Sequence, residues 1–198
     1  GNAYLKADFT KNLYLRTSYG VDMLINDFYT FIPVYAVSPT QKNTESKISR
    51  GYEKTINWLW ESTLNYNKTF GTKHSLQALA GYTMENTRME NLYGSKNGVP
   101  ADLPSLKYID AAQNANSAAV TGTAWESAMI SYLGRINYSY DNRYLATVSV
   151  RSDGSSKFST ANRYAFFPSF SLAWKVNNEQ FFKNLKLSFI NDLKLRAG

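Results

Sequence analysis

A chain of 198 residues that is 43% hydrophobic and 15% aromatic, with mean hydropathy −0.40, has an apolar surface rich in rings and diluted by polar residues. It has no run of about 18 apolar residues, which excludes a transmembrane helix but not a barrel, whose strands escape that test. The net charge of +7 is spread over single Lys and Arg residues that are never adjacent, so nucleic acid is not an expected partner.

Taken in order, the chain reads as strands. Asn2–Phe9 places Ala3, Leu5, Ala7 and Phe9 opposite Tyr4, Lys6 and Asp8, and Thr10-Lys-Asn12 is a turn. Leu13–Met23 sets Leu13, Leu15, Thr17, Tyr19 and Val21 against Arg16, Ser18, Gly20 and Asp22. A long connection is predicted from Asn26 to Lys47, then a strand over Ile48–Thr69 with Ile56, Trp58, Trp60, Leu64 and Tyr66 on one face. Gly71-Thr-Lys73 turns the chain into Leu76, Ala78, Ala80, Tyr82 and Met84. From about Glu90 to Thr123 the alternation stops, and a second long loop is expected.

The pattern is clearest in the last third. Ile130, Tyr132, Ile136, Tyr138 and Tyr140 alternate with Ser131, Leu133, Arg135, Asn137 and Ser139. After the turn at Asp141-Asn142, Tyr144, Ala146, Val148 and Val150 oppose Thr147, Ser149, Arg151 and Asp153. Phe166, Phe170, Leu172, Trp174 and Val176 then oppose Ser169, Ser171 and Lys175. One helical turn is expected near 177–183, and a last strand over Asp192–Gly198. That gives eight predicted strands. Alternation alone also suits a half-buried soluble sheet. Long strands with aromatics near their ends, and connections that alternate short and long, suit a transmembrane barrel better. The expected fold is therefore all-β: an antiparallel up-and-down transmembrane barrel, about eight strands of a larger one.

These residues carry a resemblance. Ser131–Tyr140, Arg151–Phe158, Phe167-Pro-Ser169 with Ala173-Trp174, and Asn191–Ala197 resemble, in order and spacing, successive barrel motifs of the SusC/RagA family. Leu133 stands in place of a Phe and Ser159 in place of a Gly. The resemblance is dense from about Trp125 onward, and the first half matches in pattern only. It implies a TonB-linked outer-membrane transporter of a Gram-negative bacterium, with a barrel of about 22 strands around a plugged lumen. It further implies import of a bulky glycan or peptide, a SusD-like lipoprotein over the extracellular loops, TonB as energy source, and outer-membrane lipids around the wall. Residues 1–198 would then be part of the barrel, with the plug and the TonB-contacting segment elsewhere. A passive porin-type barrel and a soluble carbohydrate-binding β-sandwich are the alternatives.

No catalytic or metal-binding constellation is present in the sequence, and no cofactor is expected. His74 is the only histidine and sits beside a predicted turn, while Asp102 and Asp110 lack the spacing of a calcium loop. Arg16, Asp22, Glu61, Glu85, Arg135, Arg151, Asp153 and Lys175, with Lys6, Asp8, Lys194 and Arg196, are expected on the lumen face. There they contact a plug or solute, or simply pair across the wall, the commoner fate of mixed charges on a polar face. Phe28, Tyr29, Phe31, Tyr35, Tyr93 and Tyr108 are expected in the long loops, as ligand or partner contacts or as loop packing.

Overall fold

The computed structural model describes residues 1–185, 190 and 192–198. Its strands are β1 (Asn2–Asp8), β2 (Leu13–Ile32), β3 (Tyr35–Ala36), β4 (Lys42–Asn43), β5 (Lys47–Phe70), β6 (His74–Asn97), β7 (Asn114–Tyr140), β8 (Tyr144–Ser155), β9 (Tyr164–Lys175) and β10 (Lys194–Ala197). A short helix, α1, spans Gln180–Asn184. Among the described residues, eight strands form one sheet in the order β1-β2-β5-β6-β7-β8-β9-β10, while β3 and β4 make a separate hairpin. Each long strand thus lies beside the next in sequence, which is the up-and-down topology expected.

Register places like residues together. Ile136 lies opposite Val148, and Val148 opposite Phe170. One residue along, Arg135 lies opposite Ser149, and Ser149 opposite Ser169. Leu195 faces Trp174, and Lys194 faces Lys175. Because side chains alternate across a strand, these pairings give the sheet an apolar face and a polar one.

The tight connections are built by turn chemistry. At 9–12 the Thr10 hydroxyl accepts hydrogen bonds from the backbone N–H of Asn12 and Leu13, at 3.2 and 3.0 Å. Asp141 and Asn142 have φ of 51° and 50°, and the Arg143 N–H donates to the Tyr140 carbonyl. Positive φ at both central residues is the turn that matches strand twist, and Asp and Asn tolerate it better than most side chains. Gly71 (φ 58°) does the same at 71–73.

Two expectations are corrected. The long connections are shorter than predicted: β2 continues to Ile32, and β6 and β7 run through Asn97 and from Asn114. What connects them is only 33–46 and 98–113. In β6 and β7 the extensions lack apolar alternation because polar and small residues occupy both faces, whereas in β2 neighbouring apolar residues such as Phe28 with Tyr29 and Phe31 with Ile32 fall on both faces and blur the alternation. Of the six aromatics expected in loops, Phe28, Tyr29, Phe31 and Tyr93 therefore lie on strands; Tyr35 sits in the β3–β4 hairpin and Tyr108 in the 98–113 connection. The helical turn is a 3-10 turn at Val176–Asn178 followed by α1. Asn191, the first residue of the fourth motif, lies outside the described residues.

The chain divides into two compact units: Gly1–Val21 with Trp58–Asn86 and Ser127–Gly198, and Asp22–Asn57 with Thr87–Glu126. The second has a small core of Ile48, Val99 and Ala112, packed by Phe31, Leu106 and Ile109.

Candidate functional site

In the first unit the apolar face is exposed. Val148 is 46%, Ile136 52% and Phe170 56% exposed, although all are branched or aromatic. Such a band, far larger than scattered surface apolar residues, has the character of a surface meant for something other than water.

Aromatic rows bound this face. One runs His74–Tyr140–Tyr144–Trp174–Phe181, with ring centroids 5.0, 6.4, 6.5 and 6.3 Å apart. The other runs Trp60–Tyr82–Tyr132, at 5.8 and 5.4 Å, beside the stacked pair Tyr19–Trp58 at 6.1 Å. The Trp60 indole N–H donates to the Thr17 hydroxyl at 2.9 Å. On β6 the rows fall at His74 and Tyr82, on β7 at Tyr140 and Tyr132, and on β9 at Trp174 and Phe166. The separation is the same on each strand. Eight residues of strand span about 26 Å, or about 20 Å along the barrel axis at a tilt of roughly 40°. Amphipathic rings at that spacing, with aliphatic residues between, are the girdles of a membrane-spanning barrel wall.

The polar face is cross-linked. The Arg151 Nε donates to both carboxylate oxygens of Asp153, at 2.7 and 2.9 Å, and its Nη2 to the Ser131 hydroxyl at 3.3 Å. Ser149 and Ser169 share a hydrogen bond of 2.7 Å, and the Thr147 hydroxyl donates to the Asn137 side-chain Oδ1 at 2.9 Å. Lys6 and Arg16 lie directly opposite each other. Lys6 pairs with Asp8 at 2.8 Å and lies over the Tyr14 ring, while Arg16 lies over the Tyr4 ring, which relieves the like-charge contact. Of the eight leading lumen-face candidates, Arg151 and Asp153 pair with each other. Arg135 shares their face near them, Lys175 reaches Asn142 at 2.8 Å, and Arg16, Asp22, Glu61 and Glu85 are dispersed over other strands.

A network with no local signature in the sequence joins the 141–143 turn to the segment after β9. Glu179 is buried and accepts from the Tyr144 hydroxyl at 2.6 Å, the Trp174 indole at 3.1 Å and the Arg143 guanidinium at 2.8 Å. Arg143 also pairs with Asp141. The Tyr144 hydroxyl first, then the Trp174 N–H and Arg143, hold the Glu179 carboxyl down to about 2. Hydrogen bonds to Asp141 first, and then to Glu179, push the Arg143 guanidinium further up. The Asn178 amide closes the joint by donating to the Asn142 carbonyl at 2.7 Å.

In the second unit, five of the six candidate aromatics gather in two groups on opposite faces. Phe28 and Tyr93 are in ring contact at 5.6 Å. Tyr29 and Tyr108 flank the Arg50 guanidinium at 4.8 and 5.7 Å, and Phe31 lies under the Lys107 ammonium at 4.5 Å. Lys107 also pairs with Asp102 at 2.5 Å. The Glu45 carboxylate accepts from the side-chain amides of Asn97 and Asn114, at 3.1 and 2.7 Å, and ties the 33–46 connection to the strand ends. Tyr35 joins neither group in ring contact.

Fold and faces together define a segment of an antiparallel transmembrane β-barrel wall. No family model matches the chain. Across 92% of its length it is 31% identical to TonB-dependent receptor P3 of Formosa agariphila, covering 18% of that protein. Over 78 residues, 39% of the chain, it is 49% identical to TonB-dependent receptor SusC of Bacteroides thetaiotaomicron, covering 8% of it. In fold it superposes on a chain of the RagAB peptide importer in the closed-closed state with a TM-score of 0.85 and 23% identity, over 98% of this chain and 21% of that one. The chain therefore spans about a fifth or less of the proteins it matches. Its homologues are TonB-dependent receptors, SusC among them, and the resemblance to the SusC/RagA transporters holds.

Proposed function

We propose that this chain is part of the barrel wall of a TonB-dependent transporter in the outer membrane of a Gram-negative bacterium. The transporter imports a bulky nutrient, a glycan or a peptide. The observation that carries the reading is the exposed apolar face of the first unit, bounded by aromatic rows eight residues apart. Homology to TonB-dependent receptors supports energised import over a passive porin. The exposure of that face weighs against a soluble sandwich, in which it would pack on a second sheet. The apolar face meets lipid, and the polar face, with Arg16, Asp22, Glu61, Glu85, Arg135, Arg151, Asp153 and Lys175, lines the lumen. The plug and the TonB-contacting segment belong to the rest of the protein, and a SusD-like lipoprotein is the partner at the extracellular side. The chain's part is that of a scaffold, not of an enzyme.

The test is uptake by cells carrying the full-length protein. Deleting TonB, or dissipating the proton gradient, abolishes uptake if the reading is right. Uptake that continues unchanged without TonB identifies a passive pore.

A further inference from the structure

Gly51, on β5, lies directly beneath the ring of Tyr93 on β6. A Cβ at that position would stand 2.2 Å from the Tyr93 Cδ1 and 2.4 Å from its Cε1, closer than any side chain tolerates. The missing side chain is what lets the ring lie flat against the strand, a common reason for a lone glycine inside a strand. Phe28, on β2, meets Tyr93 at 5.6 Å with its plane tilted by 36°, and is 41% exposed. The two rings make one aromatic surface on the face of the sheet.

The surroundings narrow what that surface suits. The same-face neighbours two residues away are Asn26 and Thr30 on β2, Ser49 and Glu53 on β5, and Asn91 and Ser95 on β6. They supply hydroxyls, amides and one carboxylate, and no cation. The cations of β5, Arg50 and Lys54, alternate to the opposite face. An anionic ligand would find no counter-charge here and would meet Glu53. A peptide bound by strand addition needs an open sheet edge, whereas these rings lie on interior strands of the sheet. A ring of C–H groups bearing hydroxyls at its rim satisfies both parts: the C–H face sits on the electron-rich rings, and the hydroxyls reach the amides and carboxylate.

We propose that Tyr93 and Phe28, levelled by Gly51, form a stacking platform for a neutral oligosaccharide. The proposal rests on the import reading and gives it a substrate class.

The experiment uses the purified full-length protein in detergent. Calorimetric titration is run with malto-, xylo-, manno- and fructo-oligosaccharides, and with a casein digest as the peptide probe. One neutral series binds saturably. Tyr93→Ala weakens it at least tenfold, and so does Gly51→Val, which leaves the ring in place but lifts it. Tyr93→Phe stays within about twofold of the parent. Heat-modifiable migration on gels, the mark of an intact barrel, is retained throughout. The platform is overturned if the bound sugar holds as tightly in Tyr93→Ala, if no neutral oligosaccharide binds, or if only peptides bind. In each of those cases TonB-dependent uptake still stands, so the import reading survives them, while its own failure shows as uptake that ignores TonB.

Discussion

Val148 and Ser149 are sequence neighbours on β8 with opposite surroundings. Val148 stands between Ile136 and Phe170, four residues from either aromatic row; Ser149 stands between Arg135 and Ser169 and bonds to the latter. If the exposed apolar band meets lipid, as proposed, an arginine at Val148 carries its charge to the middle of that band at a cost of about 2–4 kcal/mol. The same change at Ser149 adds one more cation to a wet, mixed-charge wall and costs little. Folding free energies of the full-length protein in lipid vesicles should therefore fall by that amount for Val148→Arg and stay close to the parent for Ser149→Arg. This contrast was legible from the sequence, since period-two alternation distinguishes the two positions without coordinates. The role of Gly51 was not, because the ring it accommodates comes from a residue far along the chain.

Among the elements, the hairpin of β7 and β8 and the joint that holds it show where local signals end. Asp141-Asn142 announced a turn, and the turn is there. What the sequence hid is Glu179, which sits in a short irregular segment but takes donors from β8, β9 and the turn. No local pattern marks such a site; only the fold brings its donors together. Its carboxyl is held below the ordinary value of about 4.3, so its contribution to stability is complete above that pH and is lost as pH falls through about 2. In a melting series from pH 5 to pH 2, Glu179→Gln should lie below the parent at pH 5, and the gap should narrow as the pH drops. A constant gap would mean that the ionised carboxylate contributes nothing through its charge. The strand extensions tell the same story at greater length. β6 and β7 continue well beyond the apolar alternation that reveals one half of each, and their remainders, rich in Asn, Ser and small residues, passed for loop. The end of β2 passed for loop for the opposite reason, because apolar residues fall on both of its faces.

At the scale of the whole molecule, the chain is one stretch of wall. Strand order, the pairing of neighbours in sequence and the alternation of short and long connections were all in the sequence, because each follows from where apolar runs start and stop. The four motifs carried the resemblance to the SusC/RagA family. The period-two pattern assigned the charged residues to one face as an expectation, and it could not give their partners. Arg151 with Asp153, and Lys6 with Asp8, are pairs that register and rotamer decide. On the proposed reading, even-numbered residues of β8 face lipid and odd-numbered ones face water. Single cysteines at Val148 and Ser149 of the full-length protein, in intact membranes, test it most directly. Val148→Cys should react only with a lipid-soluble maleimide and Ser149→Cys with a water-soluble one. Water-soluble labelling at Val148→Cys, or protection of both from either reagent, would contradict it and return the sheet to a soluble fold.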